Sequence, residues 1–270
     1  MLTRGGQRSP LQAVTDAELA FARMALERNT RDAFATFMAE DGVLFRPTAT
    51  NARAWIRDNK EWGLKGLLTW YPSVAGVSAA GDLGYTTGPW EFRQERSMEA
   101  APVGYGYFVS VWRLQADGSW RNEVDLGTSN PAPTARVPVF DAAGVASPAA
   151  STGRVDVPAA KAAVVARDAE LAAAAGKGYE RFVDAHSRVH REGRYPAEGA
   201  AAAIAAKADD GAVTYSSGGS GVAKSGDLGY VYGTYERTGP EKGNFLRIWR
   251  KGADGVWRIA IDVQYPVPTT

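Results

Sequence analysis

Cysteine is absent, which excludes disulfides, thiolate-bound metal and cysteine nucleophiles. Histidine is almost absent, with only His186 and His190 in the chain. An excess of either charge is missing too. The 270 residues carry 31 basic and 30 acidic side chains, a formal net charge of +1, whereas nucleic-acid binders gather a cationic excess on one face. The densest cationic stretch, His186 to Arg194, holds Arg188, Arg191 and Arg194 around Glu192 and reads as a solvated helix end or loop. No apolar run approaches the roughly 20 residues that cross a bilayer, and Met1 to Pro10 lacks the apolar core of a signal peptide. Those first residues suit a native start and a remnant of signal-peptide removal equally well. The lack of cysteine suits an exported bacterial protein, so a periplasmic or secreted location is expected ahead of a cytoplasmic one. No nucleic acid, membrane, metal or cofactor is expected as a partner.

What the chain does have is repetition. Trp112-Arg113, Asp117-Gly118 and Trp120-Arg121 describe a β-hairpin with an Asp-Gly turn, followed by Asp125. Trp249-Arg250, Asp254-Gly255, Trp257-Arg258 and Asp262 repeat it at the same spacing. Gly81-Asp82-Leu83-Gly84-Tyr85 likewise returns as Gly226-Asp227-Leu228-Gly229-Tyr230. Hydrophobic residues at 45% and charged residues at 23% let both halves bury a core. The expected organisation is a tail over 1–10, one domain over 11–130, a linker over 131–158 and a second domain over 159–270. The linker carries Pro131, Pro133, Pro138, Pro148 and Pro158 among small residues, a composition that sustains no regular element.

Within the first half, Val14, Ala17, Phe21 and Met24 recur at helical steps. Asp16 and Glu18 read as acidic residues near a helix start, as in the echo Asp168-Ala169-Glu170-Leu171. Thr30 reads as the N-cap of a second helix and Ala52 to Asn59 as a third. Strands then follow over Val43–Phe45 and, beyond the helices, 67–71, 74–78, 83–93, 105–114 and 120–126. In the second half, helices are expected from Asp168, over Gly178–His186 and over Pro196–Lys207. Helices followed by a meander describe an α+β domain. Gly88 and Gly233 sit inside strands, where glycine needs a sharp bend or a close backbone to justify it.

Three helices, then a bent meander ending in Trp-Arg-x-x-x-Asp-Gly-x-Trp-Arg, resemble the SnoaL-like branch of the nuclear transport factor two-like superfamily. Phe37-Met38-Ala39-Glu40-Asp41-Gly42-Val43-Leu44-Phe45-Arg46-Pro47, with Gly104 to Gly127, is similar to a bacterial SnoaL-like family of unknown function. The resemblance implies two cone-shaped α+β rolls, each with three N-terminal helices on a strongly curved antiparallel sheet around an apolar pocket. It also implies pairing through sheet faces, so two copies in one chain are expected to form an intramolecular pseudo-dimer and a monomer in solution.

Enzymes of that superfamily include ketosteroid isomerase and polyketide cyclases, and a carboxylate, tyrosine or histidine in the apolar pocket is what the resemblance asks for. Glu91 with Tyr85, and Glu236 with Tyr230, are the repeated carboxylate–phenol pairs expected to act as acid and base. Trp55, Trp62, Trp70, Trp90, Tyr107 and Tyr232 are the expected lining of a pocket for a small apolar or aromatic ligand, mainly in the first domain. On strict alternation Trp257, Ile259, Ile261 and Val263 face the helices. Asp262, and Asp125 by analogy, then point away from the pocket toward a cross-strand arginine. His186 and His190 stand at helical spacing for a metal, but with no third ligand nearby. Ligand binding, isomerase or dehydratase chemistry, and a pure interaction module all remain open at this point.

Overall fold

The computed structural model describes residues 8–142, 155–174 and 177–267. The first helix, α1 (Pro10–Glu27), starts where Ser9 accepts a hydrogen bond from the Gln12 amide and Pro10 takes the first helical position. The expected tail thus ends inside the helix cap, and its first seven residues lie outside the described residues. Asn29, not Thr30, caps α2 (Thr30–Phe37) by accepting from the Asp32 amide at 2.7 Å. Then come β1 (Met38–Phe45), β2 (Ala49–Asn51), α3 (Ala52–Asp58), β3 (Leu67–Trp70), β4 (Val74–Val77), β5 (Leu83–Arg93), β6 (Gly104–Leu114) and β7 (Trp120–Ser129). The sheet runs β2-β1-β7-β6-β5-β3, with β4 also on β5.

This sheet is antiparallel except that β1 lies parallel to β7. β5 takes β4 along Gly84–Thr87 and β3 along Trp90–Arg93, and Gly88 separates the two partners. The reason for glycine there is contact. A Cβ on Gly88 would lie 2.0 Å from the Tyr71 carbonyl oxygen, and one on Gly233 would lie 2.0 Å from that of Ser216. Close backbone approach explains both in-strand glycines.

The second unit holds α4 (Val157–Ala173), β8 (Arg188–Arg191), β9 (Ala197–Glu198), α5 (Ala200–Ala208), β10 (Val213–Val222), β11 (Leu228–Arg237), β12 (Lys242–Lys251) and β13 (Trp257–Pro266). Its sheet runs β10-β11-β12-β13-β8-β9, again with one parallel pair, β13 and β8. The helix expected over Gly178–His186 is only a 3-10 turn, Tyr179–Arg181. Local bonds displace it: Asp184 accepts from the His186 amide, and Ser187 accepts from the Asp184 amide while donating to the Ile259 carbonyl. His190 therefore lies on a strand, which removes the helical spacing to His186. It is buried with its ring 6.0 Å from that of Tyr107, and burial holds its pKa down at about 3. Of the expected linker, 143–154 lies outside the described residues, and Val157 and Pro158 open α4. The described part, 131–142, folds back on the first unit, where Phe140 and Ala142 join the core.

The outer faces of the two sheets pack together. Leu83, Val109, Val111 and Val124 from one meet Leu228, Leu246, Ile248 and Ile261 from the other in a single buried cluster. The contact is reciprocal at the repeated turns. Asp82 accepts from the Lys224 amide at 3.1 Å, and Asp227, its counterpart, accepts from the Ala79 amide at 2.9 Å. Equivalent residues exchanging equivalent bonds is the mark of a twofold-type contact.

Gly88→Ala is expected to lower unfolding free energy by roughly 2–3 kcal/mol through overpacking. Gly104→Ala, whose Cβ would meet nothing closer than 3.6 Å, is expected to stay within about 1 kcal/mol of the parent. Urea unfolding compares them, and equal stabilities for the two variants would refute the close-approach explanation.

Candidate functional site

Helix α1 buries Leu11, Val14, Glu18, Phe21 and Ala25 on one stripe. Glu18 is fully buried there, an acidic residue set in an apolar face and not at a solvated helix start. Three neutral donors reach it: Trp70 Nε1 at 2.6 Å and Thr86 Oγ1 at 2.6 Å, with Trp112 Nε1 at 2.9 Å. Burial outweighs these hydrogen bonds and pushes the Glu18 pKa up to about 7. Asp16, by contrast, stays at the surface with Arg8.

Beyond Phe21 and Trp70 the cone opens into a cavity of about 410 Å³. Phe34, Trp62, Trp90 and Phe108 contribute aromatic wall, and Asp125 contributes a carboxyl. Strict alternation would turn Asp125 outward, but β6 and β7 slip register between Val111 and Trp112. Ser110 opposes Asp125 and Trp112 opposes Asn122, leaving Glu123 as the extra residue of a β-bulge. The bulge flips the alternation and brings Asp125 inside. Ser110 Oγ at 2.9 Å and Asn122 Nδ2 at 3.0 Å both donate to its Oδ2. Burial raises its pKa from the usual carboxylate value against those two hydrogen bonds.

The same slip occurs in β12 and β13 between Ile248 and Trp249. Ile261 and Val263 therefore join the cluster between the sheets, while Asp262 turns into the second unit's interior. There Arg247 reaches Asp262 across the strands at 3.3 Å and Asp168 at 3.2 Å, and Arg191 bridges Asp262 to Asp210. Burial alone would raise the Asp262 pKa, but Arg191 and Arg247 outweigh it and hold the group well below the usual range. The Arg247 guanidinium also lies 3.9 Å from the Tyr215 ring centre and 4.5 Å from that of Phe245. Asp168 is the counterpart of Glu18, since Val164 and Val14 meet the equivalent glycines Gly229 and Gly84 and Trp249 donates to Asp168 as Trp112 does to Glu18. Aligning it with Asp16 is thus off by two residues.

Of the residues expected at the site, Trp62, Trp70 and Trp90 line the cavity. Trp55 stands in a neighbouring hollow of about 590 Å³ with Arg46, Trp62 and Tyr265. Glu91 and Tyr107 face away from that cavity, into a second hollow of about 570 Å³ that shares Trp70 and Trp90 with it, where Glu91 pairs with Arg93 at 2.7 Å. Tyr85 is partly buried between the sheets with its ring over Gly76, and desolvation raises its pKa. Tyr230 donates to Glu123 at 3.0 Å, Tyr232 stacks beside it near Phe45, and Glu236 is exposed. Neither carboxylate–phenol pair is brought to the cone cavity, because odd positions of β5 and even positions of β11 face outward. Sequence reasoning missed Glu18, Asp125 and Arg46. Glu18 was findable from its place among Val14, Phe21 and Leu11 on one helical stripe.

No protein-family model matches the sequence, and no curated protein matches it. Solved structures do match. A ketosteroid isomerase-like protein from Erwinia carotovora atroseptica is 18% identical, covering 42% of this chain and 95% of its own, with a TM-score of 0.34. Nuclear transport factor 2 from Cryptosporidium parvum is 11% identical, covering 43% and 99%, with a TM-score of 0.34. A putative ketosteroid isomerase from Parabacteroides distasonis is 13% identical, covering 41% and 83%, with a TM-score of 0.33.

Glu18 gives a pH signature. Its carboxyl titrates near 4.5 when solvated and near 7 in the fold. Stability is therefore undiminished below pH 4.5 and falls as pH rises through 7, by on the order of 3 kcal/mol. Glu18→Gln is expected to remove that decline in denaturant unfolding from pH 5 to 8.5. Parallel pH profiles for parent and variant would show the assignment to be wrong.

Proposed function

We propose that the first unit binds a small apolar or aromatic molecule in its cone cavity. The observation that carries this is the 410 Å³ space itself, walled by aromatic rings and holding a buried carboxyl. That volume falls within the roughly 300–1,000 Å³ of small-molecule sites, and few polar groups set in an apolar wall are what orient a ligand. The second unit's interior carries ion pairs among Asp168, Arg247, Asp262, Arg191 and Asp210 instead, which supports assigning the ligand to the first. Any proton transfer on a ligand there falls to Asp125, the carboxyl that touches the cavity, and not to Glu91 with Tyr85.

N-phenyl-1-naphthylamine, a neutral aromatic probe, tests the cavity by its fluorescence on binding. Gly104 lines the space, and a Cβ there meets only ordinary contacts, so Gly104→Phe should fill it without disturbing the sheet. We expect the variant to bind the probe at least about tenfold more weakly, the loss of roughly 1.4 kcal/mol or more. Equal binding by parent and variant would sink the cavity reading.

We further propose that the two units act as an intramolecular pair, the reciprocal Asp82 and Asp227 contacts replacing a second chain. Light scattering is then expected to report 28.8 kDa; a mass of twice that value would reject the monomer.

A further inference from the structure

The cavity and the neighbouring Trp55 hollow share four residues: Phe45, Arg46, Trp62 and Tyr265. Residues that line both spaces stand at the boundary between them, and we read that boundary as the neck of the cavity. Three of the four are aromatic, and the fourth is a cation.

Arg46 is held at that neck. Its guanidinium lies 5.4 Å from the Trp55 ring centre and 5.6 Å from that of Trp62, and Nη1 donates to the Phe45 carbonyl at 2.8 Å. A guanidinium carries five N–H donors, and among the described residues no carboxylate pairs with this one. The nearby acid, Asp125, attracts it electrostatically but makes no ion-pair contact or hydrogen bond with it among the described residues. Asp125 spends Oδ2 on Ser110 and Asn122, and burial disfavours its charged form. Arg46 is itself exposed to solvent, but two indole faces and a backbone acceptor restrict the rotamer freedom of an ordinary surface arginine and hold it beside an apolar cavity. Its remaining donors have no protein acceptor among the described residues, an arrangement suited to bidentate capture of an oxyanion.

We propose that the ligand is a small aromatic or alicyclic acid, its apolar body in the cone and its anionic group on Arg46 at the neck. This inference rests on the cavity reading above and adds the charge of the ligand to it. Tyr265 from β13 completes the neck, so the second unit takes part in the site of the first.

Two probes with one aromatic skeleton test it: 1-anilinonaphthalene-8-sulfonate, which is anionic, and neutral N-phenyl-1-naphthylamine. The readout is the ratio of their affinities for the intact chain. Arg46→Gln is expected to lower the anionic-to-neutral ratio at least about fivefold, and Arg46→Lys, which keeps the charge, to lose less. An unchanged ratio in Arg46→Gln, with Gly104→Phe still weakening both probes, overturns the acid and leaves the cavity standing. Binding of both probes untouched by Gly104→Phe overturns the cavity reading and the acid together.

Discussion

In each unit a carboxylate on the first helix, buried beneath the sheet, accepts from the indole N–H of the hairpin's first tryptophan. Trp112 holds Glu18 and Trp249 holds Asp168. A buried carboxyl without donors would cost several kcal/mol, so the bonds to it, this one among them in both units, hold one face of the helix against the sheet. The shared indole bond also explains why the Trp-Arg hairpin returns unchanged while so much around it differs. The tryptophan is there for its donor as much as for its bulk.

What surrounds the carboxylate then decides what the cone contains. In the first unit the other donors are Trp70 and Thr86, both neutral, and the charged form stays disfavoured. In the second, Arg247 stands where Ser110 stands in the first, each opposite the aspartate of the last strand. A hydroxyl at that place leaves room; a guanidinium fills it. Once Arg247 is inside, Asp168 and Asp262 compensate it, and Arg191, Asp210 and Lys207 extend the network. Pairing offsets desolvation only where geometry is good, and ring faces on both Tyr215 and Phe245 help hold the group in place.

Much of the fold is legible from residue order, and the reasons for the failures are local. β5 spans 83–93 as its pattern says, and the Asp-Gly turns fall where expected, because turn chemistry and period two are short-range signals. The side chains that face the cavity are another matter. A one-residue bulge at Glu123, or at Ala260, the residue left over where Ile248 pairs with Ile261 and Trp249 with Ile259, leaves no mark in composition, yet it exchanges every side chain beyond it between the faces. That is why Asp125 and Asp262, read outward by alternation, are inside. The helix expected before His190 fails for a different reason: Asp184 and Ser187 satisfy the backbone locally, and pairing with β13 draws Arg188 to Arg191 into a strand. Arg46 gives no signal of its own, since its position at the neck depends on Trp55, Trp62 and Tyr265 converging from separate elements.

Duplication and the charged interior of the second unit fit together through the neck. A lone roll of this kind would leave the rim of its cavity, near Phe45 and Arg46, facing solvent. Here the second sheet lies against the first, Asn244 donates to the Pro47 carbonyl at 2.6 Å, and Tyr265 and Val267 flank the hollow beside Arg46. The second unit can do this only if β13 is held firmly, and its inner face is where Asp262 and Gln264 enter the ion-pair and hydrogen-bond network. A network of fixed charges restricts a strand more tightly than apolar packing around an open cavity would, because each member has a defined partner and direction. The same ion pairs that fill the second unit's inner face with charge therefore stiffen the strand that completes the mouth of the first unit's cavity.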